Sequence, residues 1–372
     1  MSPAFSSHKS AASFVALVAG MMLLPFVVGR TNLPPRSEIY SSIPWRFGGH
    51  PFFGKTIFEE SKPLDIAFIG SSHMWGNVNA AQVKEKLSTD LGREAEVATL
   101  GWNWPGFDAV YFAAEDLLNH RTVKLLVVDD EYNPDSLGTM PHRLASRWFR
   151  MDNATSITDL TARQQSRYYA SAVLGMSRQL LGMVRSNLPE RLAPLSAFSP
   201  EQWYKCTPPA DSLGALRVAK GLVGTRGSPP SPFVAYQPNT DVRPDEAIRW
   251  SSTTAQQFRP APGEMPALQK VFTRKLAQLA KCHHVTLLFL HMPSLDDTSA
   301  PVIQESAVWP EALGHDVHML GFTPQTLFRG LNPGEIESLF YDPQHLNSNG
   351  QDYFTRLVTP KLLEVYHDTQ NP

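Results

Sequence analysis

From Leu64 onward the chain alternates short apolar runs with amphipathic ones, and no other feature constrains its fold as tightly. Ile66–Ile69 reads as a buried strand. Asn79–Leu91 follows as a helix, with Val83 and Leu87 on one face and Asn79 at the N-cap position. Glu96–Leu100 and Lys124–Val128 read as the next two strands, with Phe107–Leu118 as the helix between them. A β-α-β-α-β run at this spacing predicts a parallel sheet with helices on its faces. The pattern stops at Tyr132 and resumes near Pro266 with an amphipathic helix, Pro266–Lys281, and the strand Val285–Leu290. A short strand at Asp316–Leu320 and a helix from about Asn349 to Tyr366 complete an α/β fold with five parallel strands. Residues 135–265 form an insertion too long for a simple connection, with helical patches such as Ile157–Val184 among proline-rich stretches, and predict a mostly helical subdomain.

Ahead of this body stands an uncharged run, Ala11–Gly29. As a helix it would reach about 28 Å, close to the thickness of a hydrocarbon core. The expected organisation is a cytoplasmic tip and signal anchor over residues 1–30, a packed tether over 31–62, and the main domain over 63–372 with its insertion. The anchor places the body in the periplasm at the inner or plasma membrane; a cleaved signal peptide is the alternative, and either reading exports the body. Charge excludes other partners: 33 basic against 35 acidic residues leave no basic surplus for nucleic acid. The two cysteines, Cys206 and Cys282, suit either one disulfide or two free thiols. The run Cys282-His283-His284 lacks metal-ligand spacing, and the sequence implies neither a metal nor a cofactor.

In doubly wound sheets, ligands bind beyond the C-terminal ends of the strands. Ser72, Gly101 and the segment Asp129–Asn133 all fall there. Ser72 lies on the turn after the first strand, in Gly70-Ser71-Ser72-His73-Met74-Trp75-Gly76. A serine hydroxyl is a weak nucleophile until a base takes its proton. Near the other end, Tyr341-Asp342-Pro343-Gln344-His345 supplies a histidine for that task and an aspartate to orient it. His73 is an alternative base or a pocket-lining residue. Trp75, Trp102 and Trp104 flank the same strand ends, where aromatic faces can stack on sugar rings. Asp342 and His345 could instead only cap the final helix, although Asn347 or Asn349 suits that position well.

On these residues the chain resembles the SGNH hydrolase superfamily, also called GDSL-like. Gly70-Ser71-Ser72 with Gly76 is similar to its Gly-Asp-Ser block, with Ser71 where the family carries aspartate, and Asp342-Pro343-Gln344-His345 matches its Asp-x-x-His block. The likeness covers about Leu64–Asn133 and Pro266–Tyr366. It implies a flavodoxin-like three-layer α/β/α sandwich and a triad of Ser72, His345 and Asp342. It also implies an oxyanion hole formed by the Gly101 backbone and an asparagine, here Asn133 with Asn103 as the second choice. His73, Trp102 and Asn103 are the expected substrate-binding residues. The first block and the N-terminal anchor together resemble exported members that act on cell-surface polymers. That implies acyl transfer to, or ester hydrolysis from, an extracytoplasmic polysaccharide or envelope polymer, beside a multi-span membrane acyltransferase. A non-catalytic glycan-binding protein that keeps the fold, and a lipase with the insertion as its lid, are the competing readings.

Overall fold

The computed structural model describes residues 5–31, 35–41, 43, 49–131, 140–142, 157–186, 240–251, 256–257, 265–295, 304–305, 309, 313 and 317–370. Asn133, Cys206 and most of the expected insertion lie outside them.

The body is a six-stranded sheet. Its strands are β1 (Leu64–Gly70), β2 (Val97–Gly101), β3 (Val123–Asp129), β4 (Ile248–Ser251), β5 (Thr286–Leu290) and β6 (His318–Gly321). They lie in the order β2-β1-β3-β5-β6-β4. The first five are parallel, and β4 pairs antiparallel with β6. Taken alone, the parallel strands follow the 2-1-3-4-5 order of flavodoxin-type sheets, whose switch point lies between the first and third strands. The five strands expected from the sequence are all present. The sixth is a correction, because it comes from the stretch expected to be a mostly helical insertion.

Strand alternation builds the three layers. Ala67 and Ile69 of β1, Leu126 and Val128 of β3, and Leu287 and Phe289 of β5 enter one core. Ile66, Phe68, Leu125, Val127, Leu288 and Leu290 enter the other. Both faces are covered, so the strands read as continuous apolar runs rather than alternating ones.

The helices are α1 (His8–Thr31), α2 (Arg36–Ser41), α3 (His50–Phe58), α4 (Ser72–Asn77), α5 (Ala80–Leu91), α6 (Phe107–His120), α7 (Ala162–Ser186), α8 (Ala267–Cys282), α9 (Pro324–Leu327), α10 (Pro333–Glu337) and α11 (Ser348–Gln370). The first core takes in α6 and α8, where Phe112 and Phe272 meet at 5.6 Å between ring centroids, and the second takes in α5 and α11. Asn79 caps α5 as expected, accepting the Gln82 N–H at 3.2 Å. Asn347 caps α11 by accepting from Asn349 and Gly350. That leaves Asp342 and His345 free of the capping task.

The expected tether packs on the body. Ile39, Tyr40, Ile43, Phe53 and Ile57 are buried in the first core. Asp116 of α6 accepts the Tyr40 hydroxyl at 2.7 Å and pairs with Arg36. Arg121 is buried and donates to the carbonyls of Thr56 and Lys62. Residues 8–31 form one helix with Phe14, Val15, Leu17, Leu23 and Val27 exposed. Among the described residues, no helix is long and apolar enough to cross a membrane.

Candidate active site at the sheet switch point

The chain turns sharply from β1 into α4. Ser71 is extended (φ −74°, ψ −172°) and caps α4, its hydroxyl accepting the His73 N–H at 3.2 Å. Ser72 is therefore the first helical residue, lifted to the end of the sheet and half-buried. Its Oγ lies 2.7 Å from Nε2 of His345.

His345 comes from the hairpin of β7 (Phe340–Asp342) and β8 (His345–Leu346). Its Nδ1 lies 2.7 and 2.8 Å from the two carboxylate oxygens of Asp342. An acceptor pair at that distance places the ring proton on Nδ1 and leaves the Nε2 lone pair facing the serine hydroxyl. Oδ1 of Asp342 also accepts the backbone N–H groups of Gln344 and His345, at 2.9 and 2.8 Å. The hairpin is joined to α4 by the Asn77 side chain, which accepts the Leu346 N–H at 2.9 Å. Gln351 of α11 donates to the carbonyls of Gly76 and Val78 just beyond.

Under the turn lies an acidic cluster. Oδ2 of Asp129, at the end of β3, accepts both the backbone N–H and the hydroxyl of Ser71, at 2.7 and 2.6 Å. Glu131 Oε2 is 3.2 Å from the same hydroxyl and 3.1 Å from Nδ1 of His73. Burial, and then the neighbouring Glu131 charge, push the Asp129 carboxyl up to about 7, against the pull of its two bonds from Ser71. Asp130 faces the other way and meets His291 Nδ1 at 3.0 Å.

The expected site residues fall into two groups. Ser72, His345 and Asp342 come together as a continuous hydrogen-bonded chain. His73 does not bond Ser72. It binds Glu131 and sets its ring edge-on to His345, 5.0 Å between centroids. Gly101 ends β2 opposite Gly70. A side chain there would meet Trp75 at 2.4 Å, so close packing by itself requires glycine. Trp102 is 0% exposed and stacks on His50 of α3, in the core beneath the site. The ring of Trp102, expected among the substrate contacts, has no accessible face and packs in the core. Asn103 is also buried, and Trp75 is covered too. Of the three tryptophans only Trp104 is exposed, at 37%, and its φ of 71° is unusual for a bulky side chain. Asn133 lies outside the described residues, and Cys282 is a free, exposed thiol. Among the described residues no cluster of histidine, cysteine and carboxylate side chains suits a metal ion.

Sequence reasoning missed the Ser71–Asp129–Glu131 cluster and Asn77. The signal for the first was an acidic run directly after a buried strand. Nothing local marks its partner, which lies 58 residues earlier. No family model matches the chain, and no curated protein matches it significantly.

Proposed function

We propose that this protein is a serine-dependent acyltransferase or esterase of the SGNH type. Its substrate would be an extracytoplasmic polysaccharide or envelope polymer. The observation that carries the reading is the chain Asp342–His345–Ser72, with both links at 2.7 Å. In the first step Ser72 Oγ attacks the ester carbonyl of the acyl donor while Nε2 of His345 takes its proton. Asp342 holds the imidazole tautomer and stabilises the imidazolium that forms. The tetrahedral intermediate collapses, the donor's alcohol leaves with the proton from His345, and an acyl-serine remains. A sugar hydroxyl or water then gives its proton to His345, attacks the acyl-serine and regenerates Ser72. The Gly101 N–H, with Asn103 or Asn133, is assigned to the oxyanion, a donor of that kind contributing about 2.7–4 kcal/mol.

Three further features favour a surface-polymer substrate. Trp104 offers an exposed aromatic face beside the strand ends. The apolar side chains of α1 are exposed along its length, which suits an anchor that keeps the body outside the cytoplasm. A packed tether then holds the site near that anchor, where a multi-span membrane acyltransferase would supply the acyl group. The test uses the purified chain and its Ser72→Ala variant. Acetate release from an aryl acetate and from acetylated polysaccharide is followed, together with acetyl transfer to deacetylated polymer. Wild-type turnover that vanishes in the variant is the expected result. Equal rates in both would sink the reading.

A further inference from the structure

Two carboxylates converge on one hydroxyl beside the nucleophile. Ser71 Oγ is 2.6 Å from Asp129 and 3.2 Å from Glu131, yet it has a single proton to give. It gives that proton to Asp129, and Asp129 also takes the Ser71 N–H at 2.7 Å. The hydroxyl in turn accepts the His73 N–H, so one side chain links the end of β3 to the first turn of α4. Gly70 completes the fit, because a Cβ there would stand 2.7 Å from Asp129 Oδ2. All of this lies one residue from Ser72, and the Glu131–His73 pair presses edge-on against the ring of the base.

We propose that Ser71 and Asp129 are a matched positioning pair for the reaction. Ser71 must be a hydrogen-bond donor because the acid at this turn is supplied from the end of β3 rather than from position 71. The proposal rests on Ser72 being the nucleophile. It accounts for the serine at a position where the resembled family carries aspartate: an aspartate at 71 would place two carboxylates in contact inside a buried site, where like charges repel most strongly. Glu131 and, through its charge, Asp130 act on the pair from the segment after β3; beyond them, Asp130 is paired with His291 after β5, and His73 from α4 lies between Glu131 and the His345 of the hairpin, which binds Asp342. The raised pKa of Asp129, from burial and then the Glu131 charge, agrees with a crowded acid.

The test reads Ser72 directly and needs no natural substrate. A fluorophosphonate probe forms a bond to Ser72 Oγ as fluoride leaves, and its rate is followed across pH for the wild type and for Ser72→Ala, S71A, S71D, D129N and the double variant S71D/D129N. An aspartate still caps α4, and an asparagine at 129 restores a donor to it. Removing the shared hydroxyl in S71A should slow labelling by about tenfold, the scale of one buried hydrogen bond. S71D should slow it by about a hundredfold. S71D/D129N should recover at least about a tenth of the wild-type rate, and D129N should shift the pH profile. Wild-type rates and an unchanged profile in folded S71A and D129N would overturn the pairing. So would a double variant no faster than S71D. If S71D does not fold, S71A and D129N decide alone. A wild type that the probe does not label, or labels equally in Ser72→Ala, would instead remove the nucleophile reading itself.

Discussion

The two halves of the proposed triad are held in opposite ways. His345 and Asp342 are three residues apart on one hairpin, and that hairpin's own backbone feeds two N–H groups to the carboxylate. Ser72 sits on a turn whose shape depends on a buried acid 58 residues from Ser71, on a neighbouring strand. The base is oriented by local chain, whereas the nucleophile is oriented by the sheet. Damage to the hairpin should therefore alter chemistry with little effect on stability. Damage around the nucleophile turn should alter both.

The largest test of that contrast lies at the two ends of the chain of bonds. Ser72→Ala and His345→Ala should each lower ester turnover by about 10⁶-fold, the scale known for serine triads. The melting temperature of His345→Ala, on the hairpin, should stay near wild type, and a large drop there would break the division. Asp342→Asn should cost about 10⁴-fold in kcat, through loss of the correct tautomer. Next comes the support beneath the nucleophile. Trp102→Ala should destabilise the fold by about 3–5 kcal/mol in denaturant melts, whereas Trp104→Ala should stay within about 0.5 kcal/mol and act on KM for polymer. The reverse order would return Trp102 to the substrate surface. Gly101→Ala should cost about 1–3 kcal/mol, because Trp75 must move to admit a methyl group.

A further test concerns pH. Folding raises the Asp129 carboxyl from its ordinary 3.8 to about 7. The folded state thus keeps a proton that the unfolded chain has released. This contribution to stability is whole below the unfolded value and is lost as pH rises through the folded one. Wild-type stability relative to Asp129→Asn should fall between those two values and level off above them. Thermal melts of both proteins over that range check the sign.

Much of the sheet was legible because its strands are apolar on both faces and short enough to be unambiguous. The Asp342–His345 pair was legible for a related reason: both residues lie in a single turn, so spacing alone carried the geometry. β4 was not, since Ile248–Ser251 is a four-residue edge strand with arginine in it and shows no sustained pattern. The fate of the tryptophans was also hidden. Trp102 and Trp104 are two residues apart, but α3 covers one and leaves the other exposed, and packing of a distant helix leaves no mark on local sequence. Ser71 looked like a defect in a motif until its partner on β3 was visible.

The described residues 35–41, 43 and 49–62 dock on the body, and that has a consequence for what the site can reach. Asp116 holds Arg36 and Tyr40, and Arg121 holds the carbonyls of Thr56 and Lys62, all at the C-terminal end of α6, so the described part of this segment is a bracket, not a leash. A leash would let a catalytic body sweep a wide volume at low local concentration. A bracket gives up that reach and fixes height and heading instead. A site held that way suits the proposed long polymer, which would be drawn past Ser72 rather than pursued.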